Sequence, residues 1–217
     1  MNQHNVVFLF DKANKWLDDY IKKERFQDIY PNYTFAILYD SHDFENADIV
    51  FILGYTNILG KDFLSKSKIN LVVHESNLPQ GKGFAPVQWQ VLEGKNKIPI
   101  CLLEASEKVD SGDILIRNYF TLTGYELYDE IRSKQAFATI DLIHQFLKSY
   151  PNITKYKQKG EETFYPKRSS KDHELDVDKT IREQFNTLRI GNNEAWPSYF
   201  LLNGLKYTLK IYREEEK

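Results

Sequence analysis

The sequence predicts an α/β fold: a mostly parallel, doubly wound sheet followed by a small C-terminal α+β appendage that contains a β-hairpin. Three observations support this prediction. Short apolar runs alternate with segments of helical periodicity up to Pro151. The chain then becomes polar and basic over residues 152–176. Near the end, Asn203-Gly204 lies between two apolar runs, which is the strongest short signal for a hairpin.

Each element has its own sequence signal. The strands are apolar runs, and the helices carry apolar residues at i, i+3 and i+4. The predicted strands are 5–10, 31–40, 48–54, 69–74, 98–104 and a sixth entered from the loop 107–117. The predicted helices are 11–26, a short turn at 60–68, 85–94, 124–151 and, in the appendage, 177–189. We therefore predict a catalytic domain over residues 1–151, and a linker with a small C-terminal subdomain over 152–217.

The bulk composition excludes several functional classes. The chain has 217 residues, with 29 Lys and Arg against 31 Asp and Glu, so it lacks the basic excess of a nucleic-acid binder. One cysteine, Cys101, cannot form an internal disulfide, and no histidine spacing fits a metal site. No apolar run is long enough to cross a bilayer, and the N-terminus does not resemble a signal peptide. We expect a cytoplasmic protein that binds no metal, nucleic acid or membrane.

His74 is the first candidate for chemistry, because it ends the buried strand 69–73 and precedes a polar loop. Ligands bind at the carboxyl ends of parallel strands. Asp110 and Asp113 lie in the loop after the next strand, and loops at one edge of a parallel sheet meet. A histidine with a carboxylate, and no nucleophile elbow at Ser76, suits acid–base chemistry at a carbonyl. An equally weighted alternative is a histidine that only hydrogen bonds to its own loop.

The segment HESNLPQGKGFAPVQWQVLEGKN, with VDSG further on, resembles the folate-dependent formyltransferase family. That family carries approximately N-x-H-x-S-L-L-P-x-x-R-G-x-A-P, then a helix ending in glycine, then D-x-G. The matching positions are His74, Ser76, Leu78, Pro79, Gly83, Ala85, Pro86, Gly94, Asp110 and Gly112. Asp110 follows His74 by 36 residues, an interval similar to the family's.

This resemblance implies a Rossmann-like formyltransferase domain that uses N10-formyltetrahydrofolate. By the family's example, His74 donates to the oxyanion of a tetrahedral intermediate, and Asp110 orients His74 and helps to remove the amine's proton. Asp113, beyond the matched glycine, is the weaker candidate. One position departs from the pattern, since Val72 stands where the family has an oxyanion-binding asparagine. Asn77 is the predicted substitute, because Asn70 lies about 13 Å from His74 along the strand.

The C-terminal region indicates the acceptor. Residues 151–217 hold 13 Lys and Arg against 11 Asp and Glu, a thin surplus for binding the phosphates of tRNA. The region resembles that of sugar-nucleotide N-formyltransferases, including those of pseudaminic-acid-like pathways. The matching residues are Tyr165, Arg168, Asp172, Asp176, Trp196, Pro197 and Phe200. The implied acceptor is a 4-amino-4,6-dideoxy sugar linked to UDP or, less favoured, to dTDP.

The resemblance also implies two sets of binding residues. The folate set is Leu53, Gly54, Tyr55, Glu104, Lys108 and Val109, and the substrate set is Lys82, Gly83, Arg168, Trp196 and Tyr199. A homodimer paired through the hairpin is possible, though nothing in the sequence requires it. Three alternatives remain open: a formyltetrahydrofolate hydrolase, a formyltransferase acting on another amine, and a non-catalytic ligand-binding module.

Overall fold

A computed structural model describes residues 3–214, which form eleven strands and six α-helices. The strands are β1 (His4–Phe10), β2 (Tyr33–Leu38), β3 (Ala47–Leu53), β4 (Ser67–His74), β5 (Lys82–Gly83), β6 (Lys97–Glu104), β7 (Ile114–Thr121), β8 (Phe164–Tyr165), β9 (Glu174–Leu175), β10 (Ser198–Leu202) and β11 (Leu205–Leu209). The helices are α1 (Asp18–Glu24), α2 (Phe26–Ile29), α3 (Lys61–Leu64), α4 (Pro86–Leu92), α5 (Tyr128–Ser149) and α6 (Ile181–Arg189).

The central sheet has six strands in the order β2-β1-β3-β4-β6-β7. The first four strands are parallel, whereas β6 pairs with β4 and with β7 in antiparallel register. The connection of residues 75–96, which contains α4, leaves and rejoins the sheet at one end, because His74 pairs with Cys101 and Leu71 with Glu104. The chain therefore re-enters the sheet at the end where β4 left it. The predicted α/β class and the mostly parallel sheet are confirmed.

The core lies on both faces of this sheet. Helix α5 covers one face, where Ile140, Ile143 and Phe146 pack against Phe51 and neighbouring strand residues. The side chain of Glu130 accepts from the N–H of Leu127, which helps to fix the start of this helix. A smaller apolar cluster covers the opposite face. Strands β1 and β3 are apolar from Val6 and from Ile49 to their ends, because both of their faces are buried there.

The predicted helix over residues 11–26 is much shorter in the structure. Helix α1 begins at Asp18 and ends at Glu24, because the next residue, Arg25, has a left-handed φ of 51° that interrupts the hydrogen-bonding pattern. Residues 11–17 form a loop instead, because the carboxylate of Asp11 accepts from the N–H of Ala13 and from the hydroxyl of Thr56. These tertiary contacts override the helical periodicity of the segment.

The C-terminal part forms its own three-stranded sheet in the order β11-β10-β9. The predicted hairpin is confirmed, with positive φ at both Asn203 and Gly204. Helix α6 begins with a capping box between Thr180 and Glu183. At its other end, Arg189 is buried near Glu126 and donates to Asn96, which precedes β6 of the central sheet. Among residues 3–214, no helix is long and apolar enough to cross a membrane.

Candidate active site

His74 is the last residue of β4, and its side chain is only 7% exposed. Its Nε2 lies 2.8 Å from the backbone carbonyl oxygen of Gly81. Its Nδ1 lies 3.5 Å from Oδ1 of Asp110, whose side chain is 8% exposed. Because a carbonyl oxygen only accepts, Nε2 must carry the proton in this arrangement.

Asp110 reaches His74 by a different route from the one the sequence predicts. The expectation that both loops leave one edge of a parallel sheet is wrong, because β6 is antiparallel and its last residue, Glu104, pairs with Leu71 rather than with the end of β4. The loop 105–113 instead folds back toward the end of β4. Its start is fixed by a bond from the N–H of Ala105 to the carbonyl of Asn70.

Two glycines of the motif have steric explanations. A Cβ on Gly112 would lie 1.7 Å from the carbonyl oxygen of Glu104, so only glycine fits where the Asp110 loop crosses the end of β6. Gly83 has a φ of 98°, and a Cβ there would lie 2.5 Å from the carbonyl oxygen of Tyr165. The N–H of Gly83 donates to Oδ2 of Asp110 at 3.0 Å. Gly83 therefore fixes the carboxylate oxygen that does not face His74.

The loop 79–84 and the Asp110 loop share a support from residues 156–165, which we call the strap. Thr163 binds the backbone of Gly81 and Lys82, and Tyr165 accepts from the N–H of Phe84. Tyr156 pairs with Ile114, next to the Asp110 loop. The polar composition of residues 152–176 predicts only a linker at the place of the strap. No periodic signal marks it, because single hydrogen bonds to a distant loop leave no pattern in a sequence.

Lys82, a predicted substrate residue, is 1% exposed. Its ammonium donates to Glu162 Oε1 at 2.6 Å and to the Ser111 hydroxyl at 3.0 Å, so it joins the strap to the Asp110 loop. The bond from Lys82 also lowers the pKa of Glu162 below its ordinary value. Contact between Lys82 and a substrate stays a prediction.

Three residues bear on which group could bind the oxyanion in place of the asparagine of the family pattern. Val72 is half-buried and packs between two apolar clusters on its strand. The amide of Asn70 is occupied by Ser67 and by the carbonyl of Leu64. Asn77 is exposed, and its side-chain oxygen accepts from Arg117 of β7 at 2.9 Å. A role for the Asn77 amide nitrogen at the oxyanion stays a prediction.

The first predicted folate segment, Leu53 to Tyr55, follows β3 at the carboxyl edge of the sheet. Leu53 is buried, the carbonyl of Gly54 accepts from the Asn14 side chain at 2.8 Å, and the hydroxyl of Tyr55 donates to Ser41. Asp11 anchors the next residue, Thr56, and the hydrogen bond from Thr56 lowers the pKa of Asp11. The sequence does not indicate that Asn14 and Asp11 contact this segment, because its helical periodicity predicts that both residues lie in a helix.

The second predicted folate segment runs from Glu104, the last residue of β6, into the Asp110 loop. Glu104 forms an ion pair with Lys155 at 2.7 Å, and the exposed Lys108 lies 3.4 Å from Glu162. Val109 is 54% exposed, which is unusual for a valine and leaves an apolar surface beside Asp110. The structure thus brings Lys108 and Val109 close to the His74–Asp110 pair. Their contact with folate stays a prediction.

Three predicted substrate residues lie in the C-terminal region. The guanidinium of Arg168 is 2.7 Å from Nε2 of His173, and the exposed Trp196 stacks on the same imidazole. Burial, with Arg168 beside it, lowers the pKa of His173 to about 4. Tyr199 is buried and donates to Glu174 at 2.9 Å.

Within residues 3–214, no group of three or more His, Cys, Asp or Glu side chains is arranged to hold a metal ion.

The comparisons with known proteins agree with this geometry. Residues 13–145 match the family model described as formyl transferase, a span that includes both His74 and Asp110. The chain belongs to the formyl transferase family. A curated relative, the methionyl-tRNA formyltransferase of Rickettsia felis, is 31% identical over 128 residues. That match covers 58% of this chain and 42% of the relative, so the chain matches less than half the length of that relative.

Solved structures extend the likeness to the whole chain. A methionyl-tRNA formyltransferase from Clostridium thermocellum has a TM-score of 0.81 at 18% identity, covering 98% of this chain and 94% of that one. A 4-N formyltransferase from Francisella tularensis has a TM-score of 0.74 at 17% identity, with 100% of both chains covered. HypX from Aquifex aeolicus in complex with tetrahydrofolic acid scores 0.74 at 16% identity, covering 100% of this chain and 39% of that one. At these identities the likeness establishes the fold.

Proposed function

We propose that this protein transfers a formyl group from N10-formyltetrahydrofolate to the amine of a nucleotide-linked 4-amino-4,6-dideoxy sugar, with UDP favoured over dTDP. One observation carries the proposal: His74 and Asp110 face each other, both buried, at the end of β4 in a formyl transferase fold. The folate cosubstrate is supported by the family match and by the similar fold of HypX, which was solved with tetrahydrofolic acid.

The two residues divide the work of acyl transfer. Attack by an amine on the formyl carbon places negative charge on the formyl oxygen and positive charge on the nitrogen. His74 donates its Nε2 proton toward the oxygen, which requires that bond to leave the Gly81 carbonyl. Asp110 faces the opposite ring nitrogen and, as a carboxylate, accepts a proton from the amine. Collapse of the intermediate then breaks the bond between the formyl carbon and N10, and N10 takes up the proton that the amine released as tetrahydrofolate leaves. The N–H of Gly83 keeps Asp110 in place throughout.

The acceptor is the finer part of the proposal. Support comes from the end-to-end match with the 4-N formyltransferase of Francisella tularensis and with a sugar N-formyltransferase from Shewanella, and from the thin basic surplus after residue 150. A second candidate acceptor is methionyl-tRNA, because the curated relatives and the Clostridium thermocellum structure carry that name. The two acceptors differ so greatly in size and charge that one assay separates them.

A mass-spectrometric assay tests the proposal. The protein is mixed with N10-formyltetrahydrofolate and, in separate reactions, with UDP- or dTDP-linked 4-amino-4,6-dideoxy sugars or with methionyl-tRNA. We expect one sugar to gain a single formyl group. We expect His74→Ala to lose this activity, while His144→Ala, whose imidazole instead faces Glu24 at 2.8 Å, retains it.

Each of the other outcomes would replace or refute a specific part of the proposal. Formylation of methionyl-tRNA alone replaces the sugar with the second candidate. Formate release at equal rate with and without every acceptor makes the protein a hydrolase. Folate binding without turnover, unaffected by His74→Ala, leaves a binding module and refutes the enzymatic role.

A further inference from the structure

Gln158, in the strap, is bonded to the backbone on both sides of Ser111. Its Nε2 donates to the carbonyl oxygens of Asp110 and Gly112, each at 2.9 Å. A primary amide has two N–H donors, so both are used. Because both contacted groups are acceptors, the nitrogen and not the oxygen of the amide must face them. The side chain therefore spans the turn that carries the proposed catalytic carboxylate.

That turn needs such a support. Asp110 has a φ of 53°, a left-handed conformation that non-glycine residues adopt only with local hydrogen bonding or tertiary restraint. Lys82 reaches the same turn, but it binds the hydroxyl of Ser111 rather than the backbone of Asp110. Gln158 binds the peptide group of Asp110 itself. Its position consequently sets the direction in which the Asp110 side chain leaves the backbone.

The other end of the amide is consistent with this constraint. Oε1 of Gln158 is buried, and no hydrogen-bond partner faces it in the described part of the chain. A buried acceptor without a partner is unfavourable, and such groups in native structures call for an explanation. The explanation here is that the two Nε2 bonds fix the amide in an orientation that leaves its oxygen unpaired.

We propose that Gln158 is a positioning residue, which holds the Asp110 turn so that the carboxylate lies between the Nδ1 of His74 and the N–H of Gly83. Gln158 touches none of the reacting groups and acts through Asp110. This inference rests on the proposed function for its effect on turnover. It also has a readout in the resting protein, because the N–H of Gly83 is bonded to the carboxylate of Asp110.

Two variants test the turnover effect. Gln158→Met keeps the length of the side chain without a donor, and Gln158→Glu keeps its shape while turning a carboxylate toward two carbonyl oxygens. We expect kcat to fall about 10- to 100-fold, since displacing a catalytic group by about 1 Å has effects of this size. We expect KM for both substrates to change by less than about threefold. Gln184→Met is the matched control, because the Gln184 amide also binds backbone carbonyls, at 2.9 and 3.1 Å, but in the C-terminal region.

Hydrogen exchange of single amides tests the same inference without turnover. In Gln158→Met the N–H of Gly83 should exchange at least about tenfold faster than in the wild type. The adjacent N–H of Phe84, bonded to the carbonyl of Tyr165 at 3.1 Å, should keep its rate. Equal acceleration of both amides means a general loss of stability and overturns the proposal, as does an unchanged rate at Gly83. An unchanged kcat in both Gln158 variants overturns it as well.

The two readouts separate this proposal from the proposed function. A wild-type protein that formylates no acceptor refutes the function, while selective acceleration at Gly83 still supports Gln158 as the residue that positions Asp110.

Discussion

Two buried carboxylates of this protein each face a basic side chain, and they serve different ends. Asp110 and His74 are 8% and 7% exposed, while Glu126 and Arg189 are 5% and 1% exposed. Burial and charge thus fail to distinguish the two pairs. The two carboxylates differ in how many further hydrogen bonds they can accept, and the two pairs also differ in their place in the fold.

Glu126 is saturated with donors. It accepts from the N–H groups of Thr123 and Gly124 and from the ammonium of Lys134, and Arg189 lies 3.6 Å away. Burial raises the pKa of Glu126, but the hydrogen bonds outweigh it and bring the pKa down to about 2. Arg189 also donates to Asn96, so this pair joins α6 to the main domain. Its groups are fixed and have no proton to exchange near neutral pH.

The pair at the end of β4 is less tightly bonded. Asp110 accepts one backbone N–H and faces His74 at 3.5 Å, while the other ring nitrogen of His74 is bonded to a single carbonyl on a loop. An imidazole can give up or take a proton between pH 5 and 8, which a guanidinium cannot. The comparison indicates that a buried carboxylate with spare hydrogen-bonding capacity beside a histidine suits chemistry, whereas a carboxylate saturated with donors suits stability.

The largest expected effect comes from Asp110→Asn. Asparagine tolerates the left-handed φ at position 110, and its side-chain oxygen can still accept from Gly83, so the fold should be retained. The neutral amide cannot stabilise an imidazolium or take a proton from the amine. We expect kcat to fall by about 10²–10⁴ with the free energy of unfolding within about 1 kcal/mol of wild type. Steady-state kinetics and urea unfolding check both, and a kcat within threefold of wild type would refute the role of Asp110.

The reverse pattern is expected for Arg189→Met. This change keeps much of the volume but removes the hydrogen bonds from Arg189 to Asn96 and Asn186, which should lower the free energy of unfolding by about 1–3 kcal/mol. Lys134 still pairs with Glu126 in this variant. Turnover at low temperature should be unchanged, since Arg189 contacts neither proposed catalytic residue. Lys210→Gln, which breaks an exposed pair with Glu194, is the control and should cost about 1 kcal/mol or less. Equal losses in the two variants would contradict the importance of burial.

A smaller effect should appear in acid. Because the folded-state pKa of Glu126 is about 2 and its ordinary value is 4.5, its contribution to stability is present above pH 4.5 and lost as the pH falls toward 2. In Glu126→Gln the free energy of unfolding should change less steeply with pH in that window, by up to about 1.4 kcal/mol per pH unit. Urea titrations at pH 5, 4 and 3 measure both slopes. Parallel curves for variant and wild type would show that Glu126 is not the group responsible.

The sequence predicted the sheet and the proposed pair for reasons that are local. Each strand is an apolar run, and the interval from His74 to Asp110 is fixed by one loop, one short helix and one strand. The direction of β6 was not predictable from periodicity, because a parallel and an antiparallel strand have the same pattern. It is set by the end of the sheet to which residues 75–96 return the chain, and that depends on contacts between residues distant in the sequence.

The remaining features depend on contacts between distant residues. Asp11 and Asn14 lie in a segment with helical periodicity, yet their side chains bind the chain after β3 and keep the segment irregular. Gln158 and Glu162 lie in a polar stretch that resembles any linker. Isolated polar contacts of this kind produce neither a periodic pattern nor a distinctive composition in the sequence, so only the three-dimensional structure identifies them.

The strap has a consequence for how such proteins exchange parts during evolution and in the laboratory. Composition changes at Pro151, and a chimaera joined there would replace the strap with a segment from another protein. It would then lose the hydrogen bonds from the strap to Gly81, Lys82 and Asp110. A junction placed after Tyr165 would carry those bonds intact. The unit that can be recombined therefore begins at least 14 residues later than the composition of the chain indicates.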